Sequence, residues 1–189
     1  MTPPTPRTRF TLLVVATADG FIAREPGHTP AGWASGEEQT LFLDAVDAAD
    51  WGVLGRTTHE AAWRANRRRI VFSRSAAKPE WREPTHLWLD PGGFSPDGLA
   101  SLVADRRPMR EALILGGAEV HDWFHAHGRI DHVALTVEPI RFGAGLRIFG
   151  DQIAQDPVEA FLEKGFILSG ERRLNRIGTR LVAFDPPKG

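Results

Sequence analysis

The feature that most constrains the fold is an alternation of short β-branched apolar runs with longer segments of helical periodicity. Apolar runs of this kind are typical of strands that are buried on both faces of a sheet and pair in parallel. Parallel pairing also requires long connections between strands, which are usually helices. The runs lie at residues 10–16, 51–55, 70–72, 86–89 and 112–115. The alternation therefore predicts the α/β class.

The segments between the runs carry helix signals. Ser35 and Glu38 have the spacing of a capping box, which predicts that a helix begins there. We expect this helix to pack on the sheet through an apolar stripe at positions 41, 42, 45, 46 and 49. Further helices are predicted at residues 96–104 and 119–127, and residues 24–31 are predicted to form a loop long enough to act as a lid.

The pattern changes near the C-terminus, where strands follow one another with little helix between them. Strands are predicted at residues 132–138, 166–173 and 180–184, with a hairpin turn at 175–178 and a short helical segment at 158–162. Hairpin connections pair strands in antiparallel fashion. We therefore expect a mixed, mostly parallel central sheet with antiparallel C-terminal edge strands.

Composition excludes several classes of protein. The 189 residues include no cysteine, which excludes a disulfide scaffold, a cysteine-ligated metal and a thiol nucleophile. This suits a reducing compartment, and because we find neither a secretory signal nor a membrane-length apolar stretch, we expect a cytoplasmic protein. A formal net charge of -1 argues against nucleic acid and membrane as partners.

Residues 1–9, with three prolines, are predicted to be a flexible arm, and residues 10–189 a single domain.

Two further clusters have structural interpretations. His121 and His125 are four residues apart on a predicted helix, but the glutamate of a zinc motif is missing, so we expect no metal site. Arg64 and residues 67–69 form a basic patch. Because the overall charge is close to zero, the patch is interpreted as a solvated face or as the neighbour of an adenosine phosphate.

Two corners where a strand gives way to a helix are candidate anion sites. Gly55 and Arg56 open one corner, where Thr57 and Glu60 have capping-box spacing, and Gly116-Gly117 opens the other. Helix N-termini present unpaired N–H groups, and glycine lets a ligand approach the backbone. Taken singly, the corners could be a well-capped helix and a tight turn. Parallel strands bring both to one sheet edge, where a pyrophosphate could bridge them.

The order of motifs resembles that of a known family. The motifs include ADGFIA at 18–23, WAS at 33–35, VLGRTTHE at 53–60, FSR at 72–74, LILGGA at 113–118 and FGAG at 142–145. Between residues 10 and 184 the chain resembles the dihydrofolate reductase-like superfamily, most closely the branch with the reductase domain of bacterial riboflavin biosynthesis. The resemblance implies a three-layer α/β fold with helices on both faces of the sheet. It also implies a homodimer that forms through the late strands.

The resemblance implies an NADPH-dependent reductase that transfers hydride to a C=N or related bond of a pterin- or ribosylaminopyrimidine-like small molecule. The phosphates of NADPH would be held at Arg56 and Thr58 and at the second glycine corner, where the contact lies beside the nicotinamide ribose. The carboxamide would be met by the backbone of Ile22, and the adenosine 2'-phosphate by Ser73 and Arg74. The implied cofactor-binding set is Ile22, Gly55, Arg56, Thr57, Thr58, Ser73, Arg74, Leu115, Gly116, Gly117, Ala118, Glu119 and Val120.

The resemblance also implies the substrate site. Trp33, Ser35 and Phe42 would border the substrate. Glu38 would grip the heterocycle and assist protonation, with Thr136 beside it, although Glu38 could instead serve only the capping box. Asp19 is a rival carboxylate, with an Asp-Gly turn as its structural alternative.

Three departures leave the substrate open: His121 replaces the tyrosine of folate reducers, Ala118 replaces a glycine, and Asp131-His132 replaces an acidic pair. They also leave an alternative function open, which is a non-catalytic nucleotide- or ligand-binding module on the same fold.

Overall fold

The computed structural model describes residues 7–188 and consists of a central sheet flanked by helices. The strands are β1 (Arg9–Thr17), β2 (Phe21–Ala23), β3 (Trp51–Gly55), β4 (Arg69–Phe72), β5 (Glu80–Glu83), β6 (His86–Leu89), β7 (Glu111–Gly116), β8 (His132–Glu138), β9 (Leu146–Arg147), β10 (Ile167–Arg173) and β11 (Arg180–Asp185). The helices are α1 (Gly36–Ala48), α2 (Arg56–Ala61), α3 (Pro96–Val103), α4 (Ala118–Ala126) and α5 (Pro157–Leu162). Every predicted strand and helix is present, with ends shifted by one or two residues.

The large sheet has nine strands in the order β10-β11-β8-β1-β7-β3-β4-β6-β5. Pairing is parallel from β8 through β6 and antiparallel at β11 and β10, which confirms the predicted mixed sheet. Strand β5 adds a second antiparallel edge that the sequence did not indicate, because its residues are largely polar. The short ribbon of β2 and β9 was likewise not predicted.

Alternating side chains of the sheet contribute to two apolar clusters. Val53 and Ile114 belong to the larger cluster, which also includes Phe124 of α4. The adjacent Leu54 belongs to the smaller cluster, with Trp88 of β6. Since neighbouring strand residues point to opposite faces, the sheet is apolar on both sides, as its near-continuous hydrophobic runs predicted.

The N-terminal boundary is partly corrected. Residues 1–6 of the predicted arm lie outside the described residues. Thr8 is buried and its hydroxyl donates to the carbonyl of Met109 at 2.7 Å, and Arg9 begins β1. Thr8 and Arg9 therefore belong to the folded domain, because they are anchored beside the start of β7. Within residues 7–188 no helix has the length and hydropathy that would allow it to cross a bilayer.

Two predictions about helices are wrong. The stripe of α1 does not pack into either apolar cluster of the sheet: Phe42 is 37% exposed, Leu41, Ala45 and Val46 are only half-buried, and Ala49 alone is buried, because this helix borders an open cleft. At α2 the N-cap is Gly55, which makes no side-chain capping bond, and Thr57 lies within the helix. The predicted capping box of Thr57 and Glu60 therefore does not form. Ser35, in contrast, caps α1 as predicted, with its hydroxyl accepting the N–H of Glu38 at 3.3 Å.

Candidate active site

A large cleft lies between α1 and the carboxyl ends of β3, β4 and β7. Its volume is about 1610 Å³. Pockets for one drug-sized ligand are usually about 300 to 1,000 Å³, so this cleft has room for two bound molecules or for one long one. The position agrees with the rule that open α/β sheets bind ligands beyond the carboxyl ends of their strands.

The two glycine corners are immediate neighbours in this cleft. Strands β3 and β7 are paired, with Leu54 opposite Gly116. A Cβ atom placed on Gly55 would lie 4.0 Å from both the carbonyl oxygen of Gly116 and the amide nitrogen of Gly117. Gly116 has a φ of +103°, a conformation that favours glycine, and a Cβ on Gly117 would meet nothing within 4 Å. The predicted side-by-side arrangement of the corners is confirmed, and no side chain blocks Gly117.

Both corners leave backbone donors available. Neither Gly55 nor Gly117 supplies a side-chain cap, so the first N–H groups of α2 and α4 lack the partner that a serine or aspartate would provide. Arg56, the first residue of α2, lines the same cleft. Backbone donors and a guanidinium at one place can hold an anion such as a phosphate.

The structure brings the predicted cofactor-binding residues together. All of them line the cleft: Ile22, Gly55, Arg56, Thr57, Thr58, Ser73, Arg74, Leu115, Gly116, Gly117, Ala118, Glu119 and Val120. They come from four separate stretches of the chain and converge because strands β3, β4 and β7 are adjacent in the sheet. Ser73 follows β4, where its hydroxyl lies 2.8 Å from that of Ser75.

The basic patch also lines this cleft. Arg69 is buried beside His59, with its Nη1 3.2 Å from Nδ1 of that ring. Burial, together with Arg67 and Arg64, lowers the pKa of Arg69 to about 10. Burial, together with the neighbouring His86 and Arg69, lowers the pKa of His59 to about 4, so this ring is neutral at pH 7. The patch is therefore part of the cleft wall, and its interpretation as a fully solvated face is wrong for Arg69.

Glu38 is the one residue of α1 that is buried, and it lines the cleft. Burial and repulsion from nearby Glu138 raise the pKa of Glu38 to about 7. Near neutral pH this carboxyl is present in both protonation states. Such a group can accept a proton from a bound molecule or deliver one to it.

Glu138 is a site residue to which the sequence analysis assigned no role. Its Oε1 accepts the backbone N–H of Ser35 at 2.7 Å, and its Oε2 accepts the hydroxyl of Thr179 at 2.7 Å. Glu138 thus ties the N-terminus of α1 to β8 and stands close enough to Glu38 to affect its titration. A carboxylate at the end of an otherwise apolar buried strand was the available signal, because such a group needs partners.

The rival carboxylate Asp19 lies outside the cleft lining. Burial opposes its ionisation, but hydrogen bonds from the hydroxyl of Thr17 and the backbone N–H groups of Gly143 and Phe142 lower the pKa of Asp19 overall. These bonds fix the loop before β9 against the end of β1. Thr136 is buried in β8 between β1 and β11 and also lies outside the lining. Of the two candidate carboxylates, the cleft contains Glu38.

Only one of the three predicted substrate residues lines the cleft. Phe42 lines the cleft. Ser35 and Trp33 lie outside its lining: Ser35 caps α1, and Trp33 packs edge-on against Phe142 with ring centroids 5.1 Å apart. Ser35 therefore has a structural part at the start of α1, and Trp33 packs on the loop before β9.

Residues 95–165 match the family model of the RibD C-terminal domain. No curated protein matches the chain. Among solved structures, a protein of Shewanella sp. PV-4 described as a riboflavin biosynthesis protein is 16% identical, with a TM-score of 0.70 over 96% of this chain and 100% of that one. RibD of Acinetobacter baumannii is 16% identical, with a TM-score of 0.71 over 96% of this chain.

Dihydrofolate reductase from Enterococcus faecalis, solved with NADP(H) and RAB-propyl, is also 16% identical, with a TM-score of 0.64 over 95% of this chain and 97% of that one. The present chain spans 58% of the length of the Acinetobacter protein. At these identities the likeness to solved structures is a likeness of fold.

Proposed function

Because the chain has the dihydrofolate reductase-like fold and matches the RibD C-terminal domain in part, we propose that it is an NADPH-dependent reductase. Its substrate class would be a pterin- or ribosylaminopyrimidine-like molecule that accepts hydride at a C=N or related bond. The single observation that carries the proposal is the adjacency of the two glycine corners in a cleft that also contains Glu38.

The residues present fit a dinucleotide. Glycine at positions 55, 116 and 117 leaves space against the backbone, and Arg56 supplies a cation beside it. Ser73 and Arg74, at the end of β4, would meet an adenosine 2'-phosphate, which favours NADPH over NADH because a guanidinium fork pairs well with phosphate. When bound, the reduced nicotinamide supplies the hydride, and the protein supplies position and electrostatics.

Glu38 would hold the proton that accompanies reduction. Its pKa of about 7 lets it bind a substrate N–H as a carboxylate or donate a proton as an acid, in either case directly or through water. Phe42, one turn along α1 on the cleft side, would lie against the flat heterocycle. Glu138 would keep α1 in register with β8 so that Glu38 stays in the cleft wall.

The proposal is tested by titrating NADPH and NADH against fluorescence quenching, with Arg56→Ala and Glu38→Gln as variants. We expect NADPH to bind more tightly than NADH, and Arg56→Ala to weaken NADPH binding by about ten- to a hundredfold, because charge-assisted hydrogen bonds are lost. Glu38→Gln should leave NADPH binding nearly unchanged and slow turnover. Arg110→Ala, exposed and outside the cleft lining, is the matched control for the loss of a cation.

Turnover is followed as loss of NADPH absorbance with a panel of pterins and ribosylaminopyrimidines. Absence of dinucleotide binding, or a preference for NADH, would contradict the cofactor assignment. Tight NADPH binding with no oxidation by any compound of the panel would favour the non-catalytic binding module.

We also propose that the protein is a homodimer that forms through its late strands. Strand β10 is exposed along its whole length and is an edge of the large sheet. Ile167 and Leu168 are exposed apolar residues on this edge. An edge strand with apolar side chains is suited to pair with a second copy.

A further inference from the structure

His121 is a buried histidine of α4 that the proposed function does not use. The residue is 1% exposed, and its Nδ1 lies 2.7 Å from the carbonyl oxygen of Ile148. Because a carbonyl oxygen can only accept, Nδ1 carries the hydrogen. Burial lowers the pKa of His121 to about 4 despite that hydrogen bond, so the ring is neutral at pH 7 and Nε2 has a free lone pair.

This Nε2 has no hydrogen-bond partner in the part of the chain that the structure describes. A Cβ placed on Gly116 would lie 3.4 Å from Nε2, so the acceptor stands directly beside the glycine corner. His121 is itself part of the cleft lining. A buried acceptor is costly to leave unpaired, and here the neighbouring glycine leaves the space beside it free of a side chain.

We propose that Nε2 of His121 accepts a hydrogen bond from an O–H or N–H of the ligand at the Gly116-Gly117 corner. His121 is then a specificity-determining residue of the cleft. The inference rests on the proposed function, in which the nicotinamide ribose of NADPH lies beside this corner, and the donor is a hydroxyl of that ribose. A tyrosine hydroxyl at this position could donate or accept, whereas this neutral ring can only accept at Nε2, so it selects a ligand with a donor here.

The test is the ¹⁵N resonance of His121 Nε2 in the labelled protein, recorded while NADPH is added. We expect this resonance to move upfield on binding, because a nitrogen lone pair that accepts a hydrogen bond becomes more shielded. The fragment 2',5'-ADP lacks the nicotinamide half and should leave the resonance unchanged when it binds. His127 is the internal control, since its Nδ1 bonds to the carbonyl of Trp123 at 2.8 Å and the residue is exposed.

Two variants give a second readout. His121→Phe removes the acceptor and should weaken NADPH binding by about ten- to a hundredfold with little effect on 2',5'-ADP, whereas His121→Gln, which keeps an acceptor oxygen, should restore part of the loss. If NADPH binds and the Nε2 resonance does not move, the inference is wrong while the proposed function stands. The partner of Nε2 is then a trapped water. A chain that binds neither probe would overturn the proposed function and the inference together.

Discussion

Two glutamates meet where the cleft, α1 and β8 come together. Glu138 accepts hydrogen bonds at both oxygens, whereas among residues 7–188 no donor reaches the Glu38 carboxyl, which is buried near Glu138. The two carboxyl groups therefore differ in role: that of Glu138 is structural, and that of Glu38 is free to exchange a proton. Environments that separate two carboxyl groups in this way are a recurrent feature of acid–base sites.

The raised pKa of Glu38 makes a prediction for stability. Glu38 titrates near 4.5 in the unfolded chain and near 7 in the folded one. Between these values the folded protein binds more protons, so the free energy of unfolding falls as pH rises. The contribution is fully present below about pH 4.5 and lost above about pH 7. Between pH 5 and pH 8 the free energy of unfolding should fall by about 2 to 3 kcal/mol more in the natural protein than in Glu38→Gln. The variant is therefore favoured at pH 8.

Urea unfolding at pH 5 and pH 8 measures this difference. Asp44→Asn is the control, because Asp44 is exposed on the same helix. Equal pH dependence in the natural protein and in Glu38→Gln would show that the carboxyl is not desolvated in solution, and would remove the basis for its acid–base role.

At the scale of elements, α1 differs from the other long helices in how little of it is buried. Helix α3 buries Leu99 and Val103 in the core, whereas α1 buries Glu38 alone. The N-terminal end of α1 is held by the capping hydroxyl of Ser35 and by the bond from the Ser35 N–H to Glu138, and its last turn is held by an ion pair between Asp47 and Arg67. A helix that contributes few apolar contacts opens at low cost. We therefore expect α1 to be a movable wall of the cleft.

This contrast is testable with a matched pair of caps. Ser35 caps α1 and Ser95 caps α3, with hydroxyl-to-amide distances of 3.3 and 3.2 Å. Loss of a serine cap costs about 1 kcal/mol. Ser95→Ala should lower the global free energy of unfolding by about that amount. Ser35→Ala should instead speed hydrogen exchange of the α1 amides by about fivefold, with a smaller global effect.

Hydrogen exchange followed by mass spectrometry, with urea unfolding in parallel, separates the two effects. If α1 amides in the natural protein are as protected as those of α3, the helix is a cooperative part of the core and the idea of a movable wall fails.

At the scale of the molecule, the two ends of the large sheet differ in character. One edge ends in the short polar strand β5, and the other in β10, which carries exposed apolar residues. Short polar edges discourage further pairing, whereas a longer edge with apolar side chains invites it. The asymmetry is the structural basis for the proposed homodimer.

We expect Leu168→Arg to shift the protein from dimer to monomer, because it replaces an apolar side chain of the proposed interface strand with a charge. Leu168 is 47% exposed in the single chain. Ile153→Arg is the control, since Ile153 is more exposed, at 86%, and lies in a loop that is not part of the sheet. Sedimentation velocity gives the mass of each variant. A natural protein that sediments as a monomer at micromolar concentration would rule the dimer out.

Much of the architecture could be predicted because its signals are local. The β-branched runs, the serine cap of α1 and the glycine corners each report a short-range steric or hydrogen-bonding requirement, and such requirements are met wherever the segment lies. Even the neighbouring position of the corners followed from local signals, because parallel pairing leaves few places for the carboxyl ends of strands. The capping box assigned to Thr57 failed because Gly55 already occupied the cap position.

What could not be predicted depends on partners far away in the chain. The apolar stripe of α1 has ordinary helical spacing, yet its exposure follows from the cleft beside it. Asp19 is structural because Phe142 and Gly143 reach it from a distant loop. The pKa of Glu38 is raised because folding buries this carboxyl and brings Glu138 of β8 close to it. Charge and burial are properties of the assembled surroundings. A carboxylate has the same chemistry everywhere in a sequence, and acquires its function from the groups that folding places around it.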